Sequence, residues 1–598
     1  MQTVQSLLAF LLRSTMNLHL LRTATAIAFC VLIGSTVGGE SPAASTIDET
    51  ISQYPLSGVV RSAIGVTRGD TPIPCLLSPE SLDANSKKFH ILLIGGLDGD
   101  LASVRLALQS MASVQKDPTL SRRFAVSCVP CARPDDLGRE GIDLLSFPPS
   151  GNAYNQPDND VAHYLWRWIG MHAPDLVIDL RGDGNDAWGY PNQPAKLLEQ
   201  IRSNGLHISD RPAKPDSLVA ALNQHKPSGT GSIPALRSGS GQAIALITTA
   251  LDRVSMSLPP SQARNEIKRR LARSPLEIAQ ELSLVYGHQL DSVQYIPALA
   301  VIGRMRLGEL TDDPQPLRDA IKLGEPYRSE RKESMPARSS GSTLSGHLVF
   351  SQLARRTGDN RWTSLAKKAA DDGFDAEGQP KEAMPFHNEM SDAVFMGCAI
   401  LAEVGALTAD AKYVEQCVRH LQFMQTLCRR DDGLYRHSPL DEAAWGRGNG
   451  FPALGMALSL SAMAEDTQAH RVFLDSYRDH LRALKQHQDP TGAWHQVIDR
   501  EESYREFTST CMITFAIVRG LRMGWLDPHE WTPVVEKSWS AIKSRIGSGG
   551  QLVDVCTGTG KQKTVRDYHD RTAILGRDDR GGAMALLVAT EIAFWERQ

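Results

Sequence analysis

The stretch LARRTGDNRWTSLAKKA, residues 353–369, decides the fold of the larger part of this 598-residue chain. Apolar residues recur at helical spacing on both sides of the polar turn, which predicts two helices joined by a short connection. The same plan returns at LGELTDDPQPLRDA (307–320), LAEVGALTADAKYVEQCVRHL (401–421) and LRMGWLDPHEWTPVVEKSW (521–539). Self-similarity at a spacing of about 50 residues indicates a helical repeat.

Further segments extend this repeat to about six hairpins. Residues 451–487 predict a similar helix pair, and residues 582–595 predict a final apolar helix. A helix around residues 275–288 is the expected partner of that last helix. Six hairpins suffice to close an (α/α)6 barrel, and we predict such an all-α domain over residues 270–598. The alternative is an open helical solenoid, because the period alone does not distinguish the two.

The preceding part of the chain has an α/β pattern. Short apolar runs bounded by turn formers predict buried parallel strands at HILLIGG (90–96), FAVSCVP (124–130) and DLVIDL (175–180). Residues 101–115 and 158–171 between these runs have helical spacing, which is typical of an α/β domain. We therefore predict a multidomain chain with an α/β domain over residues 46–255. Residues 205–240, rich in Ser, Gly and Pro, are expected to form loops.

Residues 1–45 predict a secretory signal. Arg13 and Arg22 precede the apolar stretch TATAIAFCVLIG (23–34), and the small residues Ala43-Ala44-Ser45 follow it. The apolar stretch is shorter than the roughly 20 residues that a membrane anchor needs. We expect a secreted or periplasmic protein with no membrane attachment after the signal is removed.

Composition excludes several classes of partner and cofactor. A formal net charge of -4 gives no electrostatic basis for binding nucleic acid. The nine cysteines include one Cys-x-x-Cys pair, Cys128 and Cys131, without a second pair nearby. Structural metal sites need about four ligands, so we predict neither a metal nor another cofactor.

The α/β segment resembles the zinc carboxypeptidases over about 100 residues. The motifs that carry the resemblance are GGLDGDL (95–101), RPDD (133–136), GIDLLSFPPSG (141–151), PDNDVAHYLWRW (157–168) and PDLVIDLR (174–181). Asp98 and Leu101 stand where the family has its first His and Glu ligands, and Arg181 replaces the third. Leu145-Ser146 replaces the family's substrate-binding Asn-Arg pair. We expect a carboxypeptidase-like domain without zinc or peptidase activity.

Two roles for this domain remain open. It is either a structural module, in which a salt bridge between Arg181 and Asp98 would account for both residues, or a binding domain in which Arg181 holds an anion.

The helical segment resembles the unsaturated uronyl hydrolases of glycoside hydrolase families 88 and 105, and most nearly the unsaturated rhamnogalacturonyl hydrolases. The motifs are HNEMSDAVFMG (387–397), DDGLYRHSPLDEAAWGRGNGFPALGMAL (431–458), DPTGAWHQVID (489–499) and DDRGGAMALLVATE (578–591). The most specific of them is WGRGNGF (445–451). This resemblance implies a six-hairpin barrel acting on an unsaturated uronic acid at the non-reducing end of lyase-generated oligosaccharides.

Asp392 is the predicted catalytic residue. Its local pattern, an Asp before an apolar run, is also typical of a helix N-cap, but the resemblance implies catalysis. The substrate's C4–C5 enol ether needs a proton at C4 and water at C5, and one carboxyl can serve both steps. Such an acid must be protonated near neutral pH, which requires a raised pKa in a buried pocket.

Five other residues are predicted to bind the oligosaccharide. The resemblance places His437 toward the substrate, and His387 stands in for a family histidine that lies further upstream. Trp445 and Phe451 are expected to stack on sugar rings, and Arg447 to pair with the uronate carboxylate. The alternative for the aromatic residues is a place in the core.

One departure from the family's pattern leaves three functions open. Relatives carry a second aspartate at a place that falls near Ser342 or Thr343, where no carboxylate stands. The chain is therefore an unsaturated uronyl hydrolase using Asp392, a non-catalytic carbohydrate-binding protein, or a two-carboxylate glycosidase in which Asp392 works with a partner such as Asp432.

Overall fold

The computed structural model describes residues 42–598 except 140–141, 143–144, 152–153, 155–158, 184–185, 189–202, 204–212 and 240–258. Nearly all of the segment expected to be a secretory signal lies outside the described residues. Its last residues, from Pro42 onward, belong to helix α1, Pro42–Ser52.

The N-terminal domain is built on a seven-stranded mixed sheet with strand order β1-β2-β4-β3-β5-β7-β6. The strands are β1 Val60–Val66, β2 Pro72–Leu77, β3 Phe89–Ile94, β4 Phe124–Val129, β5 Leu176–Arg181, β6 Ala187–Trp188 and β7 Ala235–Gly239. β4, β3, β5 and β7 run parallel to one another. The three strands predicted from apolar runs are therefore confirmed.

Helices cover both faces of this sheet, which explains why its central strands are apolar throughout. The helices are α2 Leu101–Lys116, α3 Pro118–Arg123, α4 Asp160–His172 and α5 Leu218–Gln224. Ile91 and Leu93 of β3 pack on the α2 side, whereas Leu92 and Ile94 pack on the side of α4 and α5. The expectation of loops over residues 205–240 is wrong for α5 and β7, because apolar residues between the Ser and Gly positions bury against the sheet.

The positions expected to have lost zinc ligands hold a different arrangement from the one anticipated. Arg181 pairs with Asp179, with Nε and Nη2 at 3.0 and 2.8 Å from Oδ2. Asp98 instead accepts hydrogen bonds from the Ser103 hydroxyl and the Gly182 amide. The suggested salt bridge between Arg181 and Asp98 is thus wrong, because Asp179 lies two residues away on the same strand face.

Helix α6, Gln262–Ala272, leads into a closed double ring of helices. The inner ring consists of α8 Tyr295–Thr311, α11 Leu348–Thr357, α13 Ala399–Thr408, α15 Gly446–Ala462, α17 Phe507–Arg522 and α20 Asp579–Trp595. The outer ring consists of α9 Gln315–Arg328, α12 Asn360–Asp371, α14 Ala411–Cys428, α16 Gln468–Lys485, α18 Pro528–Ser544 and α7 Pro275–Ser283. The short helix α10, Gly341–Gly346, precedes α11.

Contacts between the first and last inner helices close the ring. Each inner helix packs on the next, α20 packs on α8, and α7 packs on α20 as its outer partner. This closure excludes the open solenoid and confirms the six-hairpin barrel. Because each outer helix reverses the chain, all inner helices run in the same direction, with their N-termini at one end of the barrel.

Short strands interrupt the helical part, contrary to the prediction of an all-α domain over residues 270–598. β8 Trp494–His495 pairs with β9 Arg505–Glu506, and β10 Leu552–Cys556 pairs with β11 Ala573–Gly576. The second pair carries a long connection that contains helix α19, Val565–His569. We call residues 552–576 the β10–β11 hairpin.

The described residues show three further features. Their eight cysteines are all buried and unbridged. They contain no group of His, Cys, Asp and Glu side chains suited to hold a metal ion. None of their helices is both long and apolar enough to cross a membrane.

A buried ionic cluster joins three inner helices at the C-terminal end of the ring. Glu591 of α20 is fully buried and pairs with Arg519 at 2.7 Å, with Arg522 at 2.8 Å and with Arg306. These arginines lower the pKa of the Glu591 carboxyl against the opposing effect of burial. A single carboxylate thus forms ion pairs with arginines from both α8 and α17.

We expect Glu591→Gln to lower the free energy of unfolding by roughly 3–5 kcal/mol, because it leaves buried guanidinium groups without a counter-charge. Urea denaturation at neutral pH measures this change. The control is Glu530→Gln, which breaks an exposed pair with Lys485 and should change stability by less than about 0.5 kcal/mol. Equal effects of the two variants would contradict the role assigned to Glu591.

Candidate active site

Asp392 lies at the N-terminal end of the inner ring, directly before the π-helical turn Val394–Cys398 that leads into α13. Its side chain is 1% exposed, and its Oδ1 atom accepts no hydrogen bond among the described residues. The turn is capped by Ala393 without a side-chain bond, so the N-cap alternative for Asp392 is wrong. π-helical turns are frequent at functional sites because they redirect side chains.

The environment of Asp392 favours its protonated form. Burial raises the pKa of the Asp392 carboxyl from 3.8 to about 7, and the positive charges of Arg447 and Arg571 oppose this rise. Desolvation therefore outweighs two nearby guanidinium groups. An acid with such a pKa can both give and take a proton at neutral pH.

His437 faces Asp392, with Nε2 3.5 Å from Oδ1. Burial holds the pKa of His437 well below its usual value, and Arg571 and Arg447 add to this effect. The other ring nitrogen, Nδ1, lies 2.8 Å from the hydroxyl of Tyr568, which itself accepts from the Gln562 amide. A Tyr568 hydroxyl that donates to Nδ1 places the single proton of the neutral ring on Nε2, toward Asp392.

Two guanidinium groups cover the indole of Trp445. The Arg447 and Arg571 groups lie 4.8 and 4.3 Å from its ring centroid, and both donate to the carbonyl of Gly558. Among the described residues neither arginine forms an ion pair, and Nε and Nη1 of Arg447 and Nε of Arg571 have no hydrogen-bond partner. Buried guanidinium groups without carboxylates predict an anionic ligand.

The WGRGNGF motif forms the first turns of α15 rather than a loop. Gly448 lets this helix approach the Asp392 segment, because its carbonyl accepts from the Ser391 hydroxyl at 2.6 Å and a Cβ there would lie 3.0 Å from that oxygen. Asn449 exchanges two hydrogen bonds of 2.8 Å with the backbone of Tyr435. The motif thereby fixes the segment that carries His437 against the segment that carries Asp392.

The predicted aromatic platforms are buried. Phe451 is fully enclosed, stacked on Phe395 at 5.5 Å and edge-on to Tyr295 at 5.6 Å. Its prediction as a sugar-stacking residue is wrong, because its ring faces are occupied by the core. Trp445 lies in the site as predicted, but guanidinium groups rather than open space cover its ring.

His387 lies at the margin of the site in a left-handed backbone conformation, with φ 55°. Its Nδ1 atom has no partner among the described residues, and burial lowers its pKa. A Cβ on Gly341 would lie 2.8 Å from this atom, so the histidine packs directly against the start of α10.

The place of the missing second aspartate is also part of the site. Ser342 accepts from the Tyr295 amide at 3.4 Å, and Thr343 accepts from the Gln294 side chain at 3.1 Å. No carboxylate stands in α10. Asp432, suggested as a second carboxylate, lies instead at the surface, where its side chain is 43% exposed and pairs with Arg430.

Sequence reasoning missed Tyr568 and Arg571, which the β10–β11 hairpin brings to the site. Tyr568 lies 131 positions after His437 along the chain. The signal that points to them is RDYHDRT (566–572), a concentration of charged and aromatic residues between two short apolar strands.

A cavity of about 920 Å³ lies elsewhere, between the two domains, lined by residues such as Tyr154, Arg167 and Arg545. None of the six predicted site residues lines it. Asp392 and His437 are almost completely buried and lie apart from this cavity.

We expect Asp392→Asn to stabilise the fold at pH 8 but not at pH 4. Between its pKa of 3.8 when unfolded and about 7 when folded, the wild-type carboxyl binds more protons in the folded state, so stability falls as pH rises through this window. The variant escapes this loss, with a gain of roughly 2–4 kcal/mol at pH 8.

Urea denaturation at the two pH values measures the difference. Asp475→Asn, on the exposed face of α16, is the control and should shift stability equally at both. A pH-independent effect of Asp392→Asn would show that its carboxyl is not held protonated by the fold.

Curated relatives match the helical part of the chain. It is 26% identical over 186 residues to "Unsaturated rhamnogalacturonyl hydrolase YesR" of Bacillus subtilis, covering 30% of this chain and 52% of the relative. It is 26% identical over 219 residues to "Unsaturated 3S-rhamnoglycuronyl hydrolase" of an Alteromonas species, covering 35% and 51%. The chain thus spans about half the length of these relatives.

A solved structure is similar in outline. It is described as a possible member of the GH105 family from Salmonella enterica, with 19% sequence identity and a TM-score of 0.46 over 55% of this chain and 94% of that one. The model of Glycosyl Hydrolase Family 88 matches residues 277–594, more than half of the chain and nearly the whole double ring of helices. The chain belongs to Glycosyl Hydrolase Family 88.

Proposed function

We propose that this protein hydrates the C4–C5 double bond of an unsaturated uronic acid at the non-reducing end of lyase-generated oligosaccharides. The observation that carries the proposal is a buried aspartate with a pKa of about 7 beside two guanidinium groups that lack carboxylate partners. This combination supplies a protonated acid and a receptor for a carboxylate in one closed site. Membership of the family and the activities for which the relatives are named support the same reaction.

Asp392 first acts as the acid. Its proton moves to C4, the C4–C5 π electrons form the new C–H bond, and positive charge develops at C5 and the ring oxygen. Asp392, now a carboxylate, takes a proton from water as that water adds to C5. The resulting hemiketal opens to a C5 ketone, and the sugar at C1 is released as an alcohol while C1 becomes an aldehyde.

His437 supports the carboxylate stage of this cycle. Its Nε2 proton points toward Oδ1 of Asp392, so a small approach from 3.5 Å forms a hydrogen bond to the charged oxygen. Tyr568 fixes the tautomer that makes this possible. His437 is thus a positioning and stabilising residue for the acid.

Arg447 and Arg571 bind the uronate carboxylate in this proposal. A planar guanidinium group can pair with a carboxylate through two hydrogen bonds. Both guanidinium groups lie over the ring of Trp445, next to Asp392. His387, at the margin of the site, is proposed to contact the neighbouring sugar.

The proposal extends to location and to the N-terminal domain. The arginines and apolar stretch of residues 1–45 support export to the periplasm or the medium. The order of motifs between residues 95 and 181 supports a degenerate carboxypeptidase-like domain, and Leu101 and Arg181 support the loss of its peptidase reaction.

A carbohydrate-binding protein without activity is the second candidate, and the missing carboxylate near Ser342 favours it. A two-carboxylate glycosidase using Asp432 is not supported, because that residue lies at the surface in an ion pair. Activity assays on variants separate these alternatives.

We expect wild-type protein to act on unsaturated rhamnogalacturonan or glycosaminoglycan disaccharides. The measurement is the decrease in the ultraviolet absorbance of their C4–C5 double bond. The rate should fall as pH rises above about 7, because Asp392 must be protonated to start the reaction. Asp392→Asn should lose activity by roughly a hundred- to ten-thousandfold, since an amide neither gives nor takes the proton. Asp432→Asn is the control and should retain activity.

The outcomes separate the three functions. Loss of activity in both variants would favour two carboxylates. Absence of turnover by wild type with every substrate, together with binding, would favour the carbohydrate-binding protein.

We expect Arg571→Met to lower kcat/KM by roughly ten- to a hundredfold for the free unsaturated uronide, mainly through KM, because a charged hydrogen-bond partner of the carboxylate is lost. For the methyl ester of the same disaccharide, kcat/KM should fall much less, because the ester has no negative charge for Arg571 to bind. Steady-state kinetics on both substrates measure this. Equal losses would show that Arg571 does not recognise the carboxylate.

A further inference from the structure

The β10–β11 hairpin is the element that completes the site from outside the inner helices. It supplies the Tyr568 hydroxyl to His437 at 2.8 Å and the Arg571 guanidinium to the face of Trp445. The carbonyl of Gly558 in the same hairpin accepts from Arg447. A shift of this hairpin would therefore disturb three residues around Asp392 together.

Arg167, on α4 of the N-terminal domain, holds both strands of this hairpin. Its Nη1 atom donates to Asp554 Oδ1 on β10 at 2.8 Å and to the Ala573 carbonyl on β11 at 2.8 Å. Arg167 is 1% exposed and Asp554 4% exposed, so solvent does not screen the pair. Tyr154 of the same domain donates to Asp554 at 3.1 Å.

The backbone at Asp554 is strained, which indicates that these contacts shape the hairpin. Asp554 adopts a φ of +63° at an irregularity in the β10–β11 register between Val553 and Val555. Residues other than glycine enter this region at a cost, and surrounding contacts must maintain it. The hydrogen bonds from Arg167 and Tyr154 to the Asp554 carboxylate are such contacts.

A second set of contacts holds helix α19, which carries Tyr568. Arg68, in the turn between β1 and β2, pairs with Asp570 at 2.9 Å. Arg566 pairs with Asp70 at 3.1 Å and donates to the Thr67 carbonyl at 2.6 Å. The same turn of the N-terminal domain thus contacts both ends of the helix.

The apolar core continues across this boundary. Tyr154 stacks between Tyr164 of its own domain and Tyr504 of the barrel, at 4.3 and 4.8 Å between ring centroids. Trp445 and Tyr568 belong to the same buried cluster as the residues of α4. The two domains therefore share packing directly behind the site.

We propose that the N-terminal α/β domain is a working part of the hydrolase site, in which Arg167 acts as a positioning residue that holds the β10–β11 hairpin and, through it, Tyr568 and Arg571. The proposal rests on the proposed function for its catalytic consequences. The contacts that carry this role come from the turn between β1 and β2, from α4 and from Tyr154, which precedes α4.

The test uses Arg167→Met in the full chain, with Arg270→Met as the matched control. Arg270 is also buried and also joins the two domains, donating to Ser544 at 2.8 Å and Gly229 at 2.9 Å, but it does not contact the hairpin. Hydrogen–deuterium exchange of residues 557–572 should become faster in Arg167→Met and stay unchanged in Arg270→Met.

Kinetics supply the second measurement. Arg167→Met should lower kcat/KM by roughly ten- to a hundredfold, because the groups that bind the carboxylate and orient His437 are misplaced. The fall in rate on the alkaline side should move to higher pH, because Arg571 lowers the pKa of Asp392 and its displacement removes that effect. Arg270→Met should leave this pH profile unchanged even if it lowers thermal stability.

Non-additivity gives the sharpest test. If Arg167 acts through the hairpin, adding Arg167→Met to Arg571→Met should reduce activity by much less than it does in the wild type. Tyr154→Phe removes one hydroxyl bond to Asp554 while keeping the ring, and it serves if Arg167→Met does not fold. It should shift the pH profile in the same direction by a smaller amount.

Two failures are distinguishable. Folded Arg167→Met and Tyr154→Phe proteins with wild-type kinetics and wild-type exchange of the hairpin would overturn the inference. Failure of the wild type to act on any unsaturated uronide would overturn the proposed function instead, and hydrogen exchange would still report whether the N-terminal domain holds the hairpin.

Discussion

The common direction of the six inner helices is the constraint on which the site depends. Their N-termini meet at one end of the barrel, where partial positive charge from each helix adds to that of Arg447 and Arg571. Their C-termini meet at the other end, where arginines gather around Glu591. The same topology therefore gathers positive charge at one end of the barrel and a closed ionic core at the other.

Desolvation decides how Asp392 behaves within this positive end. The surrounding cations alone would keep the carboxyl ionised, yet its pKa rises to about 7 because the hairpin and the neighbouring helices exclude water. Burial of the site and the raised pKa of Asp392 are thus a single physical effect. An element as distant in sequence as α4 contributes to this closure by holding the hairpin.

The repeat pattern was enough to predict the helical hairpins, because each is specified by local helical periodicity and a polar turn, whereas closure of the ring depends on contacts between the first and last inner helices. The buried parallel strands were predictable for the same reason, from apolar runs between turn formers. Asp392, His437 and Arg447 were predicted from the family resemblance that short motifs carry, and the structure brings these three residues together. Tyr568 and Arg571 did not, because an irregular hairpin brings them in over a long separation and no local periodicity marks its path.

Phe451 illustrates the opposite difficulty. Its motif neighbour Trp445 lies among the charged groups of the site, whereas Phe451, further along the same helix, faces Phe395 inside the ring. Both residues belong to one short motif at the start of α15. Only the packing of α15 against the π-helical turn decides which of the two aromatic rings contacts polar groups.

The charge balance of the site couples substrate binding to protonation of the acid. In the free protein, Arg447 and Arg571 oppose the burial that raises the pKa of Asp392. A uronate carboxylate bound to these guanidinium groups offsets their charge and removes that opposition. In the proposed complex, Asp392 holds its proton more firmly than in the free protein, so the acid of the proposed reaction is ready when the double bond lies beside it. In the proposed reaction, one carboxyl with this coupling carries out both proton transfers without a second aspartate in α10.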